Sequence, residues 1–190
     1  MTQEIEIEYK NLLTKEEYER LLHSLPFPEE GKKQINHYFE TEDFALKRFG
    51  CALRIREKDG KFQLTLKEPH PEGLLETHDW LTDQEAKSWL EGNIIPKEHT
   101  EKQLLKKNMQ LEKLQYCGNL TTLRREIAYH DVLLVLDYST YLEMEDYEFE
   151  LEATSKESGI RIFQQVLEQH AIEKKNTPNK IERFFHSIGK

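Results

Sequence analysis

Charged and apolar residues alternate one by one at the start of the chain: Glu6, Glu8 and Lys10 share one phase, and Ile5, Ile7 and Tyr9 the other. Period two marks a strand whose faces meet different surroundings, and one face here is nearly pure charge. Thr14 and Glu17 form a capping box ahead of Tyr18, Leu21, Leu22 and Leu25, whose helical spacing ends at Pro26 and Pro28. A strand is expected over 35–41 with Asn36, Tyr38 and Glu40 on one face, then a short helical or irregular piece over 44–49 and a break at Gly50. Two alternating runs, 53–58 and 61–67, flank Asp59-Gly60, a strong hairpin signal. Arg54, Arg56 and Lys58 share a face of the first, and Gln63, Thr65 and Lys67 a face of the second, opposite Phe62, Leu64 and Leu66. A strand with Glu76 and His78 follows a loop over 69–73.

From Thr82 to about Tyr116 the period becomes helical, with a second capping box at Thr82 and Glu85 and apolar positions Ala86, Trp89 and Leu90. A further helix is expected to hold Leu104, Leu105, Met109, Leu111 and Leu114. Strands resume over 121–129, 132–138 and 147–154, and helices close the chain over 156–170 and 181–188. The acidic alternation returns in Glu148-Phe149-Glu150-Leu151-Glu152. Strands with one polar face can form an open sheet with its charges in water. The helices between them, however, supply enough apolar surface to cover a sheet from outside, so an α+β closed barrel with a polar lumen is the expectation.

The length of 190 residues suits one domain spanning 1–190, with a helical insertion at about 82–116. Hydrophobic residues at 37% with aromatics at 10% indicate a folded chain despite 33% charged residues. A formal net charge of −9 argues against nucleic acid as partner, because that binding is driven by a surplus of Lys and Arg. Cys51 and Cys117 give neither a disulfide framework nor metal spacing, and suit the reducing cytoplasm. No basic leader and no run of about 18 apolar residues marks the chain for export or for a membrane.

Solvated faces intersperse their signs, so acidic strands enclosing basic ones suggest a site for metal and polyphosphate. Glu-x-Glu alone is commonplace on a solvated strand face, as is the Arg54, Arg56, Lys58 row on a hairpin, and their conjunction is what favours a site. Magnesium takes carboxylate oxygens together with waters and substrate phosphates, which fits Glu6, Glu8, Glu148, Glu150 and Glu152. Arg54, Arg56, Lys58, Lys67 and Arg124 would face phosphate oxygens. Parity selects Arg124 over Arg125, since Thr122, Arg124 and Glu126 form the polar face. Asp137 ends an apolar run, where an ionised group needs a partner or a metal. His37, His78 and His130 are read as structural or surface residues, none having metal-ligand spacing to another histidine.

These residues resemble the CYTH domain proteins, also called triphosphate tunnel metalloenzymes, over essentially the whole chain. The N-terminal Glu-x-Glu-x-Lys signature matches Glu6, Glu8 and Lys10. The paired basic positions match Arg54 and Arg56, the next strand's lysine Lys67, the later arginine Arg124, the aspartate Asp137, and the closing acidic strand Glu148, Glu150 and Glu152. The resemblance implies an eight-stranded antiparallel tunnel with helices outside, binding a triphosphate with magnesium or manganese. It also brings in Lys180, where a C-terminal helix of such proteins reaches the tunnel. Where many relatives place glycines before the last acidic strand, residues 141–146 read Tyr-Leu-Glu-Met-Glu-Asp, which leaves the substrate open. The expected activity is triphosphate hydrolysis, with Glu6, Glu8, Lys10 and Glu150 at the reacting centre and Lys10 orienting a phosphate or its neighbouring glutamates. An adenylyl cyclase and a non-catalytic nucleotide or polyphosphate sensor are the rivals. The expected state is a monomer or a homodimer.

Overall fold

The computed structural model describes residues 2–189. Eight strands, β1 (Gln3–Leu13), β2 (Lys32–Thr41), β3 (Ala52–Lys58), β4 (Lys61–His70), β5 (Gly73–Leu81), β6 (Leu114–Tyr129), β7 (Val132–Tyr141) and β8 (Met144–Ala153), form a closed antiparallel barrel. Its strand order is β1-β5-β4-β3-β2-β6-β7-β8. The helices are α1 (Lys15–Ser24), α2 (Ala45–Arg48), α3 (Asp83–Leu90), α4 (Glu98–Lys106), α5 (Lys156–Gln169) and α6 (Lys180–Ser187). Among the described residues, no helix is long and apolar enough to cross a membrane.

The chain divides into two compact units. The first takes the chain up to Ile5 together with Gln34–Leu120. In it, Leu53, Ile55, Leu64 and Leu66 project from β3 and β4 into a core with Trp89 of α3 and Leu104 of α4. Phe39 meets Trp89 edge to face, with ring centroids 5.2 Å apart. Period two then puts Arg54, Arg56, Gln63, Thr65 and Lys67 on the face turned away from these helices. The β3–β4 turn has Asp59 and Gly60 both at positive φ, which matches the hairpin turn the dipeptide predicts.

The second unit comprises Glu6–Lys33 and the chain from Thr121 onward. Its core joins Leu134, Leu136, Phe149 and Leu151 of β7 and β8 to Leu21 of α1 and Phe163 and Val166 of α5. Gly159 allows α5 to press on β1: a Cβ there would lie 2.6 Å from the Tyr9 ring. Tyr9 and Phe149 therefore take the helix side, and Glu8, Lys10, Glu148 and Glu150 the opposite one.

Both capping boxes form as the sequence predicts. Several boundaries differ, β2 and β6 among them, which begin at Lys32 and Leu114. The helix expected through Leu114 stops at Lys106, and Asn108 at φ 56 reverses the chain; Leu111 lies in a 3-10 turn and Leu114 already belongs to β6. Apolar residues three to four apart had mimicked a helix while serving a turn and a strand. The loop expected over 69–73 shrinks, because Pro69 and His70 stay in the ladder opposite Leu74 and Gly73. β7 and β8 extend to Tyr141 and back from Met144, turning at Leu142 with φ 51.

Candidate functional site

In the second unit the strand register lines up the charges. Arg124 stands opposite Asp137, Asp137 opposite Glu148, and Lys10 opposite Glu150. Arg124 donates from Nε to Asp137 Oδ1 at 2.9 Å and from Nη2 to Asp137 Oδ2 and Glu150 Oε2, both at 2.6 Å. Lys180 lies 2.9 Å from Asp137 and 3.1 Å from Glu148, and also donates to Glu150. Arg183 grips Asp146 at 3.0 Å and reaches Glu148. Lys10 bonds Glu8 and Asn179.

Burial makes these pairings consequential. Asp137 and Glu148 are 0% exposed. Burial opposes the charge of Arg124, Lys180 and Arg183, yet the facing carboxylates outweigh it and hold all three above their ordinary values. The two glutamates diverge. Burial pushes Glu148 up to about 7, with Lys180 offsetting only part of it; at Glu150 burial is overcome by Lys180 and Arg124, which keep its carboxyl well below the usual range.

Local sequence explains how α6 reaches this cluster. Buried Asn11 of β1 receives the Lys175 N–H at 2.7 Å and donates to the Glu173 carbonyl at 2.9 Å, while Leu12 N–H donates to Thr177 Oγ1 at 2.9 Å. That segment is thereby fixed to β1, and Asn179 with Glu182 forms a capping box that starts α6 at Lys180. Arg183, three residues on, shares Lys180's helix face.

In the first unit, Arg54, Arg56 and Lys58 of β3 stand opposite Tyr38, Asn36 and Gln34 of β2. Arg56 Nε donates to Asn36 Oδ1 at 3.2 Å. Lys67 pairs with Glu76 of β5. Both amide atoms of Gln34, Asn36 Nδ2 and Arg54 Nε are buried without a hydrogen-bond partner among the described residues. Next along this face, His78 approaches Glu4 at 3.0 Å and Glu76 at 3.4 Å.

The sequence-predicted residues therefore fall into two sets. Arg124, Asp137, Glu148, Glu150 and Lys180 are joined by direct contacts in the second unit, where Lys10 pairs with Glu8 and stands opposite Glu150, and Glu152 lies 3.8 Å from Arg124 and opposite Glu8. Glu6 is half-buried on β1, two residues from Glu8. Arg54, Arg56, Lys58 and Lys67 lie in the first unit. Sequence reasoning missed Asp146, Arg183, Asn179 and Gln34. Asp146 continues the parity of Glu148 and Glu150, and was lost when the strand was started at Tyr147; Arg183 was legible as the i+3 partner of Lys180.

A hard divalent cation fits the carboxylates. Glu8 and Glu152 oppose each other directly in the β1–β8 ladder, Lys10 pairing with the one and Arg124 lying 3.8 Å from the other, and the carboxylates offer only oxygen donors, as a hard divalent cation prefers.

The CYTH domain model matches residues 4–185. The chain belongs to the CYTH domain family. A CYTH relative in Bacillus subtilis strain 168, "Putative triphosphatase YjbK", is 46% identical over 186 residues, covering 97% of this chain and 96% of its own. A solved Bacillus halodurans structure described as a "putative adenylate cyclase" superposes with TM-score 0.91 at 47% identity, covering 97% of this chain and 100% of that one. HpAC1 from Hippeastrum, described as revealing a dominant triphosphatase activity, has TM-score 0.79 at 22% identity, with 96% of each chain covered, and attests the fold.

Proposed function

We propose that this CYTH protein is a divalent-metal-dependent triphosphatase, acting in the cytoplasm on a small triphosphate. The observation that carries the reading is the row of buried polar atoms at Gln34, Asn36 and Arg54 that have no partner among the described residues, beside the basic side chains of β3. Such atoms cost free energy until a ligand or water satisfies them. Arg54, Arg56, Lys58 and Lys67 would hold phosphate oxygens, arginine through its planar fork. Glu6, Glu8, Glu150 and Glu152 would hold magnesium or manganese, with Asp137 and Glu148 behind them. Bound there, the metal would neutralise phosphate charge and lower the pKa of a coordinated water. Lys10, between Glu8 and Asn179, orients its neighbours. Arg124 and Lys180 are read chiefly as counter-charges to the buried carboxylates, with phosphate contact following if those pairs loosen. Positioning and preorganised charge then supply most of the rate.

The relationship to YjbK supports hydrolysis. The description of the Bacillus halodurans relative favours a second reading, cyclisation of ATP, which uses the same phosphate grip with a ribose hydroxyl as nucleophile. Incubation with inorganic triphosphate, ATP and thiamine triphosphate, each with magnesium or manganese, separates them. Orthophosphate release is expected. Cyclic AMP with pyrophosphate would replace the first reading by the second, and binding without turnover would defeat both.

A further inference from the structure

We propose that Glu4, Glu76 and His78 form a transition-metal site of zinc type, separate in its residues from the carboxylates assigned to the catalytic cation. One ligand atom from each lies within 4.8 Å of the other two. The His78–Glu76 spacing is that of a coordination sphere, and the hydrogen-bonded His78–Glu4 pair reaches it by opening a few tenths of an ångström. Donors about 2.0–2.2 Å from a tetrahedral zinc ion stand roughly 3.3–3.6 Å apart; His78 Nε2 is 3.4 Å from Glu76 Oε2 and 3.0 Å from Glu4 Oε1.

The ligands are also aimed by their neighbours, as metal ligands are. Thr65, directly opposite His78 in the ladder, lies 3.0 Å from Nδ1 and turns Nε2 toward the carboxylates. Lys67, directly opposite Glu76, engages Oε1, which leaves Oε2 as the oxygen presented to His78. Glu4 is held near by the start of β1, where the His78 N–H donates to the Thr2 carbonyl at 2.8 Å. Loading the site requires the proton on His78 to sit on Nδ1, donated to Thr65, so that Nε2 can bind metal. One nitrogen and two carboxylate oxygens suit zinc, cobalt or manganese, whereas magnesium prefers an all-oxygen sphere. Glu4 is exposed, which leaves room for an ion to enter and for water to complete its sphere. The ion would pin the N-terminal end of β1 to β5.

Cobalt(II) added to the full-length protein in excess magnesium tests this, read by visible absorption and by equilibrium dialysis. One equivalent is expected to bind with the intense bands of a four-coordinate ion, and Glu4→Gln and His78→Gln should each weaken binding at least tenfold. Glu4→Gln alters an exposed side chain and decides the matter even if His78→Gln does not fold. No stoichiometric cobalt in the wild type, or wild-type affinity in Glu4→Gln, overturns the site. Because magnesium saturates the all-oxygen carboxylates and no turnover is measured, the result is independent of the triphosphatase reading.

Discussion

Arg124, Lys180 and Arg183 in the unit of β6–β8 stand against Asp137, Asp146, Glu148 and Glu150 with direct contacts to each. On β2 and β3 of the other unit, Gln34, Asn36 and Arg54 instead bury polar atoms with no partner among the described residues. Both faces are strand-borne and turned from the helices, and both are rich in charge. They differ in what completes them: one is neutralised by the chain itself, the other keeps buried polar atoms without a partner among the described residues. A polar face closed by its own counter-ions stabilises the fold, whereas an unsatisfied one gives up stability for binding.

The largest effect should follow from opening the closed network. Arg124→Met leaves Asp137 and Glu150 buried with less counter-charge, and removal of one partner from a buried pair costs about 3–5 kcal/mol. Urea unfolding should show that loss in the midpoint without a change of slope. A loss under about 1 kcal/mol would mean the carboxylates had found another cation, and the contrast between the units would fail.

Arg56→Ala probes the open face. Losing a charge-assisted hydrogen bond to phosphate costs roughly 1.5–3 kcal/mol, or about ten- to a hundredfold in the dissociation constant of inorganic triphosphate. Calorimetric titration with magnesium present should find this, together with a smaller change in stability than Arg124→Met causes. Wild-type affinity would remove β3 from the phosphate grip.

The strands of both faces were legible because period two survives wherever one side meets core: Leu64 and Leu66 against Thr65 and Lys67, Phe149 and Leu151 against Glu148 and Glu150. Leu111 and Leu114 misled because an apolar residue in a turn or at a strand start carries no period of its own. Among the charges, residue type and parity indicated which face each took but not which partner it met. Arg124 reads the same whether it meets phosphate or Asp137; only the register opposite Asp137 and Glu150's reach separate the two. The His78 cluster was hidden because its ligands come from strands 74 residues apart in sequence.

A subtler contrast lies in pH. With its folded pKa raised to about 7 from the ordinary 4.5, Glu148 binds its proton more tightly in the folded state. Its contribution to stability is full below about 4.5 and is lost as pH rises through 7. Glu150, held low, acts with the opposite sign and only as pH falls below 4.5. Glu148→Gln should therefore flatten the decline in melting temperature between those two pH values, gaining on the wild type toward neutrality. Parallel curves would show that Glu148 is already ionised throughout.

The smallest expected change is at Gln34, 1% exposed, where neither amide atom has a partner among the described residues. Gln34→Leu keeps much of the volume and removes the buried donor and acceptor, so stability should hold or rise by up to about 1 kcal/mol. If the amide serves a bound triphosphate or a water that bridges to it, affinity for that ligand should fall a few-fold over the same substitution. Stability and binding would then move in opposite directions, as they must on a face completed from outside. A loss of stability above about 2 kcal/mol would instead reveal a hydrogen bond made within the folded chain, and the β2–β3 face would belong with the closed network of Arg124 rather than opposite it.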